Sequence, residues 1–246
     1  MVLRKPIILY VALALMQIAQ ASDMSGDLPW QQTGSGAVAA EQSAPMEKFG
    51  TIVYKVTDSE RNLVGLERIV DEFELTAGRY RLTSTFVSRA MRNQFISEGR
   101  IERDRFIPEI FSRNLNGRQD FKITIGAKLV TITRSSGYTE SLPRPDAPID
   151  IISIMYQAAS VTKDVGTLAL DQVHVYGIEP RDISYVGEET IDTPLGSQHV
   201  IHLRSKTSAI TQDIWISPAQ RNLPVKFTIP AQRKILIATA TKIEFR

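Results

Sequence analysis

Apolar and polar residues alternate with a period of two along much of this chain, and that pattern restricts the fold more than any other feature. Tyr80, Leu82, Ser84 and Phe86 alternate with Arg79, Arg81, Thr83 and Thr85. Phe121, Ile123 and Ile125 alternate with Asp120, Lys122 and Thr124, and Val225, Phe227 and Ile229 with Lys226 and Thr228. Ile243 and Phe245 sit between Lys242, Glu244 and Arg246. Successive side chains of a strand point to opposite faces, so each run reads as a strand with one dry and one wet side. Turn chemistry separates the runs. Asn116-Gly117 suits a type I′ hairpin, which needs positive φ at both positions. Ala77-Gly78, Gly126-Ala127 and Thr193-Pro194-Leu195-Gly196 are turns of the kind Gly and Pro permit. Strands linked by short turns predict a mainly β fold: one strongly curved antiparallel sheet forming a β-roll, half-barrel or open barrel.

One segment departs from this period. Residues 148–160 read as a helix, with Asp150 as its N-cap. Ile151, Ile154, Met155 and Ala158 fall at helical spacing, and so do Ile152, Met155, Tyr156 and Ala159. Only Ser153, Gln157 and Ser160 form a polar stripe, so the helix must be covered over most of its surface. It is expected to cap the concave face of the sheet.

The N-terminal residues carry an address. Arg4 and Lys5 precede an apolar stretch from Ile7 to Ile18, which ends in Ala19-Gln20-Ala21. This is the order of parts in a cleavable secretory signal, with cleavage expected before Ser22. The apolar run is too short to span a bilayer as a helix. Residues 22–46 shift to Ser, Gly, Gln and Ala around a single Trp30 and read as a flexible linker. Residues 47–246 remain for a single β-rich domain. The chain has no cysteine. A cysteine-linked lipid anchor, disulfides and thiolate chemistry are therefore excluded, and the domain must be held by its core. The 29 basic and 27 acidic residues include Arg4 and Lys5, so removal of residues 1–21 leaves 29 − 2 = 27 basic against 27 acidic. A balanced chain offers no net attraction to nucleic acid or anionic lipid. The local cluster Arg79, Arg81, Arg89 and Arg92 reads as a solvated strand face.

No catalytic or cofactor motif stands out, and no catalytic, cofactor or metal residue is assigned. His199-Val200-Ile201-His202 resembles half of a zinc site, but strand residues three apart point to opposite faces and cannot share a metal. Glu188 and Glu189 likewise point opposite ways. Asp71, Glu72 and Glu74 are interleaved with Val70, Phe73 and Leu75, as on a wet strand face.

Several blocks carry a resemblance: Gly50, Gly99-Arg100-Ile101, Pro108, Asp150 to Tyr156, Gly187 to Gly196, Trp215-Ile216-Ser217-Pro218 and Leu223-Pro224-Val225. Through them, the chain from about Phe49 to Phe245 resembles the bacterial domain-of-unknown-function family 3108, whose members are exported. The resemblance implies a curved β-roll or half-barrel in the periplasm. Some proteins of such shape shelter acyl chains, an analogy at the level of fold. It also implies structural roles for Gly196 in a turn, for Pro224 at an edge or near-edge strand, and for a buried Trp215 whose N–H needs a partner.

The expected function is thus that of a periplasmic, non-enzymatic protein that binds or chaperones an apolar envelope component, either lipid or outer-membrane protein. Phe86, Phe95, Met155 and Tyr156 are the expected lining of its apolar interior. An interaction module pairing through a sheet edge is the alternative, and an envelope hydrolase is a third.

Overall fold

The computed structural model describes residues 48–58, 63–76, 78–231 and 234–246; the expected signal peptide and linker lie outside the described residues. Fifteen strands form one sheet. They are β1 (Lys48–Asp58), β2 (Leu63–Thr76), β3 (Arg79–Ser88), β4 (Arg92–Glu102), β5 (Arg105–Leu115), β6 (Arg118–Ile125), β7 (Leu129–Arg134) and β8 (Thr139–Pro143). After them come β9 (Pro148–Ile149), β10 (Thr167–His174), β11 (Gly177–Thr193), β12 (Gly196–Lys206), β13 (Thr211–Ser217), β14 (Leu223–Ala231) and β15 (Lys234–Phe245). Among the described residues there is one α-helix, α1 (Ser153–Gln157), which runs into a 3₁₀ turn, Ala158–Ser160.

The spatial order is β8-β7-β6-β5-β4-β3-β2-β1-β15-β14-β13-β12-β11-β10-β9. From β1 in mid-sheet the strands therefore meander to one edge, cross to the other edge, and meander back until β15 closes on β1. Every pairing is antiparallel except the short one between β9 and β10. The sheet is open, yet it curls enough for β9 and α1 to lie against β5.

Local sequence explains the turns. Asn116 and Gly117 adopt φ of 50° and 81°, the positive pair that the β5–β6 hairpin requires. Gly99 has another constraint: a Cβ there would collide with the backbone carbonyl of Ile107 on the adjacent strand, at a register shift between β4 and β5. The bulge brings two backbones too close for any side chain.

Alternation is realised in the core. Ile52, Tyr54, Ile69, Phe73, Leu82, Phe95, Phe111, Phe121 and Ile123 are buried on the face that meets α1. On the opposite face Thr83 and Thr85 are also buried.

Three expectations change in detail. The helix is shorter than residues 148–160, because Pro148 and Ile149 are taken up by β9. Ser153 and Gln157, read as a polar stripe, are fully buried and hydrogen-bonded. Pro224 is not near an edge: β14 lies between β13 and β15. A register shift beside Pro224 accommodates its missing N–H, and its carbonyl accepts a 2.9 Å hydrogen bond from Tyr54 Oη.

Candidate functional site under the interior helix

The sequence from Asp150 to Ser160 builds a pinned cover over the sheet. Asp150 Oδ1 accepts hydrogen bonds from the N–H groups of Ile152 and Ser153, both at 2.9 Å, satisfying donors that a helix start leaves free. Its Oδ2 accepts the hydroxyl of Ser97 on β4 at 2.5 Å. Ser97 Oγ lies 3.2 Å from Tyr80 Oη on β3. At the other end of α1, Gln157 Oε1 accepts from the Phe106 N–H at 2.7 Å, and its Nε2 donates to the Asp104 carbonyl at 3.3 Å and to Ser160 Oγ at 2.8 Å. Polar pins thus hold both ends of α1, while Ile152, Ile154, Met155, Tyr156 and Ala158 between them are buried.

Two carboxyl groups are enclosed here. Asp71 on β2 is paired across strands with Ser84, whose hydroxyl donates to Asp71 Oδ1 at 2.5 Å. Burial pushes the Asp71 carboxyl up to about 7, against the smaller lowering effect of Ser84. Asp150 is raised by burial too, opposed by the hydrogen bonds from Ser97, Ser153 and Ile152. Burial holds the Tyr54, Tyr80 and Tyr156 hydroxyls above the usual phenol value. Tyr156 Oη is buried without a hydrogen-bond partner. Such a group carries a desolvation cost, so it marks a place where a further polar atom would be stabilised.

The four expected lining residues fall into two aromatic groups. Phe86 is half-buried and meets Phe95 edge-on, with centroids 5.6 Å apart; Phe95 stacks on Phe111, which meets Phe121. Tyr156 instead lies 6.2 Å from Phe73 and 6.3 Å from Phe106. Met155 is buried beside it on α1.

Asp71 departs from the expectation of a wet face. It shares the parity of Ile69 and Phe73, and it is buried with them. That parity was the signal that could have found it.

Other polar groups have structural partners. Glu188 pairs with His199 at 3.1 Å, while Glu189 approaches His202 Nδ1 at 3.3 Å, so the two histidines serve different carboxylates. His202 also contacts Asp213 and stacks on Trp215, whose indole N–H donates to Glu189 at 2.7 Å. Arg181 is fully buried in the other half of the sheet. It donates to Ser205 Oγ at 2.6 Å, to Gln212 Oε1 at 2.9 Å, and to Gln172 Oε1. Among the described residues no cluster of His, Asp and Glu suits a metal ion, and no helix is long and apolar enough to cross a membrane.

The architecture has relatives among solved structures. A β-barrel-like protein of domain of unknown function DUF1849 from Brucella abortus matches with a TM-score of 0.52 at 8% identity, covering 81% of this chain and 98% of that one. At that identity the likeness concerns fold alone. A protein from Bacteroides fragilis, described as exported with a YmcC-like fold, matches with a TM-score of 0.30 at 10% identity, covering 81% of this chain and 97% of that one. A protein from Parabacteroides distasonis described as a lipoprotein matches at 0.31 and 12%, with 81% and 97% covered. No curated protein matches the chain. The family model for proteins of unknown function DUF3108 matches residues 49–232, and this chain belongs to that family.

Proposed function

We propose that the protein is exported and binds an apolar envelope component without transforming it, between α1 and the curved sheet. The observation that carries this reading is Tyr156 Oη: a buried hydroxyl with no partner, set among Phe73, Phe106 and Met155. Apolar walls with a few placed polar groups are the chemistry of small-molecule sites. Asp71, protonated below about pH 7, supplies a second polar group in the same interior. The N-terminal sequence supports export with cleavage before Ser22, leaving residues 22–46 as a tether to the domain.

Loading requires α1 to move, because Asp71 and Asp150 are only 6% and 0% exposed. The same closure gives hydrolysis little support, since both carboxyl groups are buried. Pairing through a sheet edge also has little support. Edge strand β8 is five residues long and ends in Pro143, and edge strand β9 has two residues, one of them Pro148. Short edges carrying proline offer few free donors to a partner strand.

Native mass spectrometry of the protein purified from periplasm, with solvent extraction of what it carries, tests the proposal. A bound lipid or acylated molecule is expected. Ligand-free protein that takes up no apolar probe would overturn it.

A further inference from the structure

A second site lies on the sheet face turned away from α1. Its volume is about 550 Å³, within the range of small-molecule clefts, and it crosses β1 to β4. The register explains its lining. Thr51 pairs with Glu72, Glu72 with Thr83, and Thr83 with Ile96, so these four side chains form one row. Phe49, Glu74, Arg81 and Glu98 form the row beside it.

We propose that this groove binds a neutral oligosaccharide. Four observations select that ligand class. The floor is a sheet face whose backbone groups are already used in the ladder, so an added peptide strand would find no hydrogen bonds there. Phe49, Phe73 and Ile96 are the large apolar residues of the lining, which is too little for an acyl chain but enough for one sugar ring to rest on an aromatic face. Charges of both signs are mixed along the groove, Glu72 and Glu74 beside Arg246 and the ion pair of Arg81 with Glu98, so it offers no uniform field to a charged ligand. Finally, three of the polar groups, Glu72, Glu74 and Gln94, are planar and spare. The side chains of Glu72 and Glu74 make no hydrogen bond or ion pair among the described residues, and Gln94 makes only a 3.5 Å contact to Thr85. Carboxylate and carboxamide groups present paired acceptors or an acceptor beside a donor, matching vicinal hydroxyls and acetamido groups.

Amide-resolved NMR titration of the full chain with neutral tetrasaccharides, including β-1,4-linked N-acetylglucosamine, tests this. Saturable shifts are expected at Thr51, Thr83 and Ile96. Phe49→Ala and Glu72→Ala, with unchanged spectra before titration, are each expected to weaken binding about tenfold, roughly one hot-spot contact. Absence of saturable shifts with every sugar would overturn the proposal. So would shifts confined to residues around α1, or variants that bind as well as the parent. This outcome is independent of whether the interior holds an apolar ligand.

Discussion

Ser97 donates its hydroxyl to Asp150 Oδ2 at 2.5 Å, tying β4 to the start of α1 across 53 residues of sequence. Asp150 is completely buried, so this bond and those from Ile152 and Ser153 are what let a carboxyl group reside there. Ser97→Ala leaves Oδ2 without that donor. The expected cost is about 1–3 kcal/mol, read as a lower urea midpoint with an unchanged slope. A midpoint equal to that of the parent would show that the bond does not hold the cover down.

Asp71 makes stability depend on pH. Its folded value of about 7 lies above the ordinary carboxyl value, so the folded state binds the proton more tightly than the unfolded one. Stability is therefore highest below about pH 4 as far as this group is concerned, and it falls as pH rises toward 7. Three units correspond to an upper bound of roughly 4 kcal/mol. Asp150, raised in the same direction, adds to the slope. Asp71→Asn is expected to flatten the profile and to melt higher than the parent at pH 8. Parallel melting curves for the two proteins from pH 4 to 8 would contradict this assignment.

Gly99 is fixed by backbone contact. A methyl group there meets the carbonyl of Ile107 and, at 2.9 Å, the Cα of Pro108. Neither can yield without moving β5. Gly99→Ala is expected to destabilise by about 2 kcal/mol or more, measured by chemical denaturation.

Arg181 is a buried cation held by neutral acceptors. Burial lowers its guanidinium to about 10, and its hydrogen bonds to Ser205, Gln172 and Gln212 offset the loss of water. Arg181→Met leaves those acceptors unpaired and is expected to cost about 2–5 kcal/mol. Adding Gln172→Leu removes one orphan, so the double variant should recover part of the loss. Strict additivity of the two substitutions would rule out the coupling.

Much of the sheet could be read from local pattern. The runs around Tyr80, Phe121, Val225 and Ile243 all lie in strands, and Asn116-Gly117 turns as its chemistry demands. Strand order could not be read that way, because the pairing of Gly50 with Phe245 joins the two ends of the domain and leaves no local trace. Pro224 illustrates the difficulty: proline suggests an edge, but a bulge relieves it in the middle of the sheet. Met155 and Tyr156 were legible as buried from helical spacing. Asp71 was not, because a carboxylate among alternating acidic residues reads as solvated unless its parity with Phe73 is given more weight than its charge. The outer groove was equally hidden, since its rows come from four strands.

Ligand binding as proposed requires α1 to lift as a cover from an apolar site. Titration of lipid-stripped protein with a fluorescent fatty-acid analogue, in the parent and in Ser97→Ala, tests it most directly. Saturable uptake of one probe per chain is expected, with faster association in Ser97→Ala and loss of saturation when Met155 is replaced by Lys in a variant that still melts cooperatively. Absence of saturable uptake, or uptake indifferent to Ser97 and Met155, would contradict it.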